Sequence, residues 1–126
     1  MTNIKGIGVD IIELERIREA VETYGEAFLK RVYTENEIAY CCRRKIYRIP
    51  ELAVRFAAKE AYSKAIGRGI KGFGRPNNGI NWQDIEIINN LHGKPLLSLN
   101  GMVSDKAHVS LSHSRDYAIA TVYVEE

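Results

Sequence analysis

One segment near the middle of the chain constrains the fold more than any other. Residues 51–66 form the strongest helical pattern in the sequence, because small apolar residues recur along one face: Val54, Ala58, Ala61 and Ala65. Pro50 stands where a helix can begin, and Gly67 and Gly69 stand where one can end. Side chains this small allow close packing, so the pattern predicts a helix that lies against a sheet.

Strands are predicted on both sides of this helix. A short apolar segment punctuated by glycines, residues 4–9, indicates a buried strand that ends at Asp10. The last third of the chain contains four strand-like segments, at residues 84–88, 95–99, 108–112 and 117–124. Turn-rich residues join the first two and also the last two, so each pair is predicted to form a β-hairpin.

Two helical regions are predicted between the first strand and the central helix. Residues 13–33 carry apolar side chains at mostly helical spacing, with an interruption near Gly25. Thr34 and Glu37 have the spacing of a capping box, which predicts a short helix from there to about residue 44. Helices followed by strands are typical of an α+β domain, so we expect helices packed on a mainly antiparallel sheet.

Length and composition limit the class of protein. The chain has 126 residues, of which 45% are hydrophobic, and no linker-like or repetitive tract, which predicts a single domain over residues 1–126. A net charge of +2 is too small to indicate nucleic-acid binding. Cys41 and Cys42 lack the partners of a zinc site, and neither a signal peptide nor a membrane span is recognisable. We therefore expect a cytoplasmic protein without nucleic-acid or membrane partners.

Three places in the sequence carry residues capable of chemistry. Asp10, predicted at a strand end beside a helix start, can hold a hard cation, or can form a helix cap with Glu13. Glu60 and Lys64 share one face of the central helix and are also spaced as an exposed ion pair. His113 ends a predicted strand, where a histidine is either functional or structural. The residue types alone leave these alternatives open.

Taken in order, these segments resemble the holo-[acyl-carrier-protein] synthases, the small stand-alone members of the 4′-phosphopantetheinyl transferases. Four motifs at family spacing carry the resemblance over nearly the whole chain: Gly6-Ile7-Gly8-Val9-Asp10-Ile11, Arg55-Phe56-Ala57-Ala58-Lys59-Glu60-Ala61 with Lys64 and Gly67, Gly93-Lys94-Pro95, and His108-Val109-Ser110-Leu111-Ser112-His113. The resemblance implies a magnesium-dependent enzyme of fatty acid biosynthesis with that family's α+β fold. It would transfer 4′-phosphopantetheine from coenzyme A to a serine of apo acyl carrier protein and release 3′,5′-ADP.

The resemblance also implies roles for individual residues. Asp10 and Glu60 match the magnesium ligands, and Glu60 and Lys64 match the residues that take part in the reaction, with Lys64 on the coenzyme A phosphates. Coenzyme A contacts are further implied for Arg55, Phe56, Lys94, Pro95, His113 and Ser114. Contacts with the carrier protein are expected from Arg16, Arg18 and Arg31. The family is usually trimeric with active sites at subunit clefts, so a homotrimer is expected.

Two features depart from the common pattern of the family. Residues 69–81 contain four glycines and predict a loop that is longer than the commonest versions, which leaves its ligand contacts undefined. Ser114 stands where many members carry threonine, a change that keeps the hydroxyl.

The expected chemistry explains the residue types. Magnesium prefers oxygen ligands and typically takes one or two carboxylates together with phosphate oxygens, which Asp10 and Glu60 match in number. The sequence leaves open whether Glu60 or a metal-bound hydroxide removes the serine proton. Two other classes also fit the residues: a module that docks an acidic partner through arginines, and a magnesium-dependent phosphohydrolase that acts on coenzyme A without a carrier.

Overall fold

Helices form most of the first half of the chain after an initial strand, and strands dominate the second half. The computed structural model describes residues 3–43, 46–70 and 79–126. In chain order the elements are β1 (Ile4–Glu13), α1 (Leu14–Tyr24), α2 (Glu26–Val32), α3 (Glu35–Cys41), β2 (Cys42–Arg43), β3 (Ile46–Tyr47), α4 (Ile49–Ile66), a 3₁₀ turn (Trp82–Asp84), β4 (Ile85–Asn89), β5 (Pro95–Leu99), β6 (Met102–Val103), β7 (Ala107–His113) and β8 (Tyr117–Glu125).

The strands of the described ranges form three antiparallel sheets. The main sheet has the order β1-β8-β7, a second has the order β4-β5-β6, and β2 pairs with β3. Both predicted hairpins, β4–β5 and β7–β8, are confirmed. The expected α+β class with a mainly antiparallel sheet is also confirmed. Of the loop predicted at 69–81, residues 71–78 lie outside the described residues, and Ile70 and Ile80 on either side form an isolated parallel bridge.

Strand β1 packs so closely on helix α4 that the two backbones are in direct contact. A Cβ atom at Gly8 would lie 1.9 Å from the carbonyl oxygen of Ala61, and one at Gly6 would lie 1.8 Å from that of Ala65. No side chain fits at either glycine without separating the two elements. The glycines of β1 and the alanines of α4 therefore form one close contact between sheet and helix.

The small residues of α4 predicted burial along one face. In the structure the helix is buried on most of its surface. Its buried residues are Ile49, Leu52, Ala53, Val54, Arg55, Ala57, Ala58, Lys59, Glu60, Ala61, Ser63 and Ala65. The predicted face of small residues is buried as expected, and burial extends beyond it because α1, α3 and β4 cover the faces that the main sheet leaves free. The predicted ends are confirmed, with Pro50 in the first turn and Gly67 in the left-handed conformation after the last turn.

The first strand is longer than the sequence predicted. It does not end at Asp10, which pairs with Ala120 of β8, and the ladder continues to Glu13 opposite Tyr117. The β-branched residues Ile11 and Ile12 favour this extension. Because Glu13 is the N-cap of α1 and makes no side-chain capping hydrogen bond, the interpretation of Asp10 and Glu13 as a helix cap was wrong.

The helical regions after β1 follow the predicted interruptions. Gly25 separates α1 from α2 with a φ of 55°, which glycine adopts without strain. Thr34 and Glu37 form the predicted capping box at the start of α3. The helix ends at Cys41 and not near residue 44, because Cys42 and the residue after it enter the short β2–β3 ladder.

A buried ion pair joins α3 to α4. Lys59 Nζ lies 2.6 Å from Glu37 Oε1 and also donates to the carbonyl oxygens of Val32 and Trp82, while the backbone N–H of Ile87 donates to Glu37 Oε2. Both side chains are fully buried. Burial lowers the pKa of Lys59, and the charge of Glu37 opposes that lowering. These contacts fix α3, the end of α2, the 3₁₀ turn and β4 to the central helix.

We expect Lys59→Met to lower the free energy of unfolding by roughly 3–5 kcal/mol, because it leaves the carboxylate of Glu37 buried without its partner. Glu37→Gln added to Lys59→Met removes that charge, keeps an oxygen acceptor for one of the backbone N–H groups of Thr34 and Ile87, and should restore part of the loss. Urea unfolding at fixed protein concentration measures each change. Lys30→Met, in an exposed pair with Glu26, is the matched control and should cost less than about 1 kcal/mol. Equal losses for Lys59→Met and Lys30→Met would contradict the assignment.

Candidate active site

Asp10 of β1 meets α4 at Lys64. Lys64 Nζ lies 3.0 Å from Asp10 Oδ1 and also donates to the carbonyl oxygen of Val9. The Asp10 side chain is 17% exposed and that of Lys64 is 53% exposed, so the pair opens to solvent on the Lys64 side. Asp10 follows Gly8 on the same face of β1, and the close contact of Gly8 with α4 brings the carboxylate to the helix.

Glu60 belongs to the same cluster, which we call the carboxylate side of the site: Asp10, Glu60 and Lys64. Glu60 precedes Lys64 by one helical turn, so both lie on one face of α4. Glu60 is buried, at 8% exposure, and Lys64 makes its ion pair with Asp10. The interpretation of Glu60 and Lys64 as an exposed surface pair was therefore wrong.

The donor set of the carboxylate side fits magnesium. Asp10 and Glu60 supply two hard oxygen ligands from different elements, and magnesium commonly binds through one or two carboxylates while phosphate oxygens and waters complete its shell. Within residues 3–43, 46–70 and 79–126, no group of three or more histidine, cysteine, aspartate and glutamate side chains is arranged to hold a metal. The two carboxylates suit a cation whose remaining ligands come from the phosphate oxygens of a substrate and from water.

A cavity of about 260 Å³ lies between α4, the β4–β5 turn and the end of β7. Three of the residues expected to contact coenzyme A line it: Arg55, Pro95 and His113. Tyr40, Glu51 and Asn89 line it as well. We call this cavity, with its lining residues, the arginine side of the site.

Arg55 is held firmly at this cavity. Its side chain is 1% exposed and donates to Glu51 Oε2 at 2.9 Å and to Asn89 Oδ1 at 2.8 Å. Its Nε atom is buried and has no hydrogen-bond partner among the described residues. A positively charged arginine that lines a cavity is suited to bind an anion that enters it.

The β4–β5 turn presents Lys94 and Pro95 beside the cavity. The Asn90 carboxamide oxygen accepts from the backbone N–H groups of His92 and Lys94, and Asn89 Nδ2 donates to the carbonyl oxygen of Gly93. Gly93 has a φ of 83°, a conformation that glycine adopts without strain. The side chain of Lys94 is exposed, and Pro95 lines the cavity.

His113 lines the cavity, whereas Ser114 and Phe56, which were also expected to contact coenzyme A, do not line it. His113 ends β7, and Ser114 follows in the hairpin turn, where its hydroxyl oxygen accepts from the backbone N–H of Tyr117. Phe56 lies in an aromatic cluster, with its ring centroid 4.9 Å from that of Trp82 and 6.4 Å from that of Phe28. Within one chain, Phe56 therefore packs in the core and does not line the cavity.

The carboxylate side and the arginine side lie on opposite sides of α4. Glu60 and Arg55 are five residues apart on this helix, which separates them by roughly 140° around its axis. Asp10 belongs to β1, one edge of the main sheet, whereas His113 belongs to β7, the other edge. A single chain therefore presents two half-sites with α4 between them.

The arginines expected to contact a carrier protein are not equivalent. Arg16 and Arg18 are both exposed on α1, but Arg18 Nη1 lies 3.0 Å from Glu15 Oε2, so part of its charge is compensated within the helix. Arg31 is exposed on α2, and its backbone carbonyl accepts from Gln83. Helix α1 also carries Glu19 and Glu22, so its surface has mixed charge and is not a uniform basic strip.

Sequence reasoning missed Tyr40, Glu51 and Asn89 as cavity residues. Tyr40 and Glu51 lie on different helices, and their meeting depends on how α3 packs on α4. Asn89 stands in a segment whose turn character was evident, but its contact with Arg55, 34 residues earlier, had no signal in the local pattern.

The helices of the described residues include none that is long and apolar enough to cross a membrane. The two cysteines are free thiols, and burial raises the pKa of Cys41 to about 12, which keeps this thiol protonated at neutral pH. Cys41 is therefore not a nucleophile of the site.

Known proteins with similar sequences are holo-[acyl-carrier-protein] synthases. A relative in Geobacillus sp. (strain WCH70), a holo-[acyl-carrier-protein] synthase, is 48% identical over 97% of this chain and 97% of its own length. The holo-[acyl-carrier-protein] synthase of Chloroherpeton thalassium is 46% identical over 94% of this chain and 96% of its own length.

Solved structures give the same result, and they include complexes with a bound nucleotide. The holo-(acyl-carrier-protein) synthase of Bacillus anthracis, in complex with CoA (3′,5′-ADP), is 40% identical, covers 100% of this chain and 99% of its own, and superposes with a TM-score of 0.79. The enzyme of Helicobacter pylori in complex with coenzyme A is 29% identical over 95% of this chain and 99% of its own, with a TM-score of 0.74. The family profile described as the 4′-phosphopantetheinyl transferase superfamily matches residues 6–122. This chain belongs to the 4′-phosphopantetheinyl transferase superfamily.

Proposed function

We propose that this protein is a magnesium-dependent holo-[acyl-carrier-protein] synthase, which transfers 4′-phosphopantetheine from coenzyme A to a serine of apo acyl carrier protein. The observation that carries the proposal is the meeting of Asp10 with Lys64 one helical turn from Glu60. Two carboxylates and a cation at one point suit a magnesium-bound pyrophosphate better than they suit docking alone. The similarity to holo-[acyl-carrier-protein] synthases over nearly the whole chain supports the same activity.

Each residue of the carboxylate side has a distinct task in this proposal. Asp10 and Glu60 would hold magnesium, which would reduce the negative charge that the pyrophosphate presents to an incoming hydroxyl. Lys64 Nζ, now paired with Asp10, carries the charge that meets a phosphate oxygen when coenzyme A binds. Positioning and charge stabilisation supply most of the catalysis of such transfers.

The bonds that change define what the residues must do. The serine oxygen of the carrier protein forms a bond to the phosphorus that bears pantetheine, and the bond from that phosphorus to the bridging oxygen breaks. The leaving group is 3′,5′-ADP, and the serine proton must be taken up. Two groups at the carboxylate side can accept it: the carboxylate of Glu60, or a hydroxide that a bound magnesium ion would supply.

In coenzyme A a pyrophosphate joins pantetheine to 3′-phosphoadenosine, so the molecule is long enough to contact both half-sites. The carboxylate side receives the pyrophosphate, and the arginine side, with Arg55, Pro95 and His113, receives the nucleotide. Because α4 separates the two sides within one chain, the arginine side of one copy completes the carboxylate side of another. A cleft between subunits of a homotrimer meets this requirement.

The outer face of the main sheet supports assembly of this kind. Ile7, Val9 and Ile11 of β1 are 67%, 52% and 61% exposed, and Ile119 of the neighbouring β8 is 38% exposed. These residues alternate with Gly8 and Asp10, so they point away from α4. A contiguous apolar face of this kind is typical of a protein interface. The cytoplasmic location expected from the sequence stays a prediction.

Intact mass of an apo acyl carrier protein, incubated with coenzyme A, magnesium and this protein, tests the proposed activity. We expect the carrier to gain the mass of one phosphopantetheine. Asp10→Asn and Glu60→Gln each remove one charged ligand and should lower the rate of transfer by roughly a hundredfold or more. Asp105→Asn, at an exposed position near the start of β7, changes the same charge away from the site and should transfer at the wild-type rate.

Two outcomes would contradict the proposed activity. Consumption of coenzyme A without any gain in carrier mass would indicate a phosphohydrolase. Binding of the carrier without consumption of coenzyme A would indicate a docking module. Transfer at the wild-type rate by the double variant Asp10→Asn/Glu60→Gln would overturn the assignment of both carboxylates.

Docking of the carrier protein is assigned to α1, where Arg16 is exposed six residues after Asp10. We expect Arg16→Glu to raise KM for the carrier about tenfold and to leave KM for coenzyme A unchanged, because an acidic partner is steered by exposed charge. Arg18→Glu should have a smaller effect, since Glu15 already compensates Arg18. Added salt should weaken the encounter for the wild type, as exposed charges are screened over ~8–10 Å.

Steady-state kinetics with each substrate varied separately measures these effects. Lys106→Glu, which makes the same charge change at the start of β7, serves as the control and should leave both KM values unchanged. Equal effects of Arg16→Glu on both substrates, or no effect of salt, would place carrier docking elsewhere.

A further inference from the structure

Three arginines surround one aromatic ring at the edge of the cavity. The guanidinium carbon of Arg48 lies 4.4 Å from the ring centroid of Tyr40, that of Arg55 lies 4.6 Å from it, and that of Arg43 lies 5.3 Å from it. Tyr40 itself lines the cavity. Guanidinium groups at these distances interact with the negative potential of the ring face.

Within residues 3–43, 46–70 and 79–126, these three arginines are ion-paired with a single carboxylate, that of Glu51. Arg55 is paired with Glu51 at 2.9 Å, whereas Arg48 Nη2 donates to an uncharged group, the backbone carbonyl of Tyr40, at 2.5 Å. The Nε atoms of both Arg48 and Arg55 are buried without a hydrogen-bond partner among the described residues. Like charges held close together cost free energy unless an anion binds among them.

The ring that collects these arginines is itself held in place. Tyr40 stands on α3, which the Thr34–Glu37 capping box opens and the buried Glu37–Lys59 pair fixes to α4. Arg55 is held to α4 and β4 by its hydrogen bonds to Glu51 and Asn89. The ring is therefore a fixed surface, and the long side chain of Arg48 lies on it in a defined position.

We propose that Tyr40 is a positioning residue, whose ring holds the guanidinium groups of Arg48 and Arg55 in place to bind the 3′-phosphate of coenzyme A. This inference rests on the proposed function. The pyrophosphate is assigned to the carboxylate side, across α4, so the 3′-phosphate is the remaining anionic group of the substrate. A phosphate monoester carries about −1.5 to −2 charges at neutral pH, which matches two guanidinium groups in charge and in hydrogen-bonding geometry.

Two replacements of Tyr40 distinguish the contribution of its ring from that of its hydroxyl. We expect Tyr40→Leu to raise KM for coenzyme A roughly tenfold, the effect of losing two cation–π contacts, while kcat and KM for the carrier stay within about twofold of wild type. With 3′-dephospho-coenzyme A, which lacks the phosphate in question, the same variant should behave like the wild type. Tyr40→Phe keeps the ring and should retain wild-type KM for coenzyme A.

Arg48→Gln and a control tyrosine complete the test. Arg48→Gln leaves the ring in place and should lose the same discrimination against 3′-dephospho-coenzyme A, which keeps the inference testable if Tyr40→Leu does not fold. Tyr24→Leu, at an exposed position away from the cavity, should leave KM for coenzyme A unchanged. An unchanged KM for coenzyme A in Arg48→Gln, or an equal loss with both donors in Tyr40→Leu, would overturn the assignment.

A binding measurement separates failure of this inference from failure of the proposed function. Calorimetry with 3′,5′-ADP and with 5′-AMP requires no transfer. We expect the wild type to bind 3′,5′-ADP more tightly than 5′-AMP, and Tyr40→Leu to reduce that ratio roughly tenfold. If the wild type transfers nothing to the carrier but shows this ratio and its loss, the proposed function fails and the role of Tyr40 stands. If the wild type transfers phosphopantetheine but Tyr40→Leu keeps the full ratio, only the role of Tyr40 fails.

Discussion

The close contact between β1 and α4 is the constraint on which the site depends. Gly6 and Gly8 leave no room for a Cβ between strand and helix, and this lack of side chains lets the two backbones touch. The strand therefore delivers Asp10, two residues beyond Gly8, directly to the helix face that carries Glu60 and Lys64. A larger residue at either glycine would push β1 away from α4, and the carboxylate of Asp10 would then move away from that of Glu60.

The second constraint is the buried Lys59–Glu37 pair, which acts on the other side of the same helix. It fixes α3 against α4, and α3 carries Tyr40 to the wall of the cavity. Different faces of α4 therefore have different roles. Glu60 and Lys64 face β1, and Arg55 faces the cavity. Lys59 anchors α3, the helix that adds Tyr40 to the cavity wall. Burial of α4 on most sides follows from these roles, because each face meets a different element.

Local features of the fold were predictable from sequence, and contacts between distant segments were not. The ends of α4, the Thr34 capping box and both hairpins follow from short patterns of proline, glycine and alternating apolar residues. The extension of β1 past Asp10 depends on pairing with β8, more than 100 residues away, which no local pattern contains. Arg55 was assigned to the nucleotide by family resemblance, but its burial and its contact with Asn89 appear only when α4 packs on β4.

The central claim is that one active site takes its carboxylate side from one chain and its arginine side from another. The most direct measurement is transfer activity of mixed assemblies, prepared by co-expressing Asp10→Ala and Arg55→Ala chains with different affinity tags and purifying on both tags. Each variant alone should be inactive. Mixed trimers should recover roughly a third of the wild-type activity, because in each mixed trimer one of the three sites joins the undamaged halves of the two variants. Absence of any recovery in the mixed assemblies would show that each site lies within a single chain and would contradict the account.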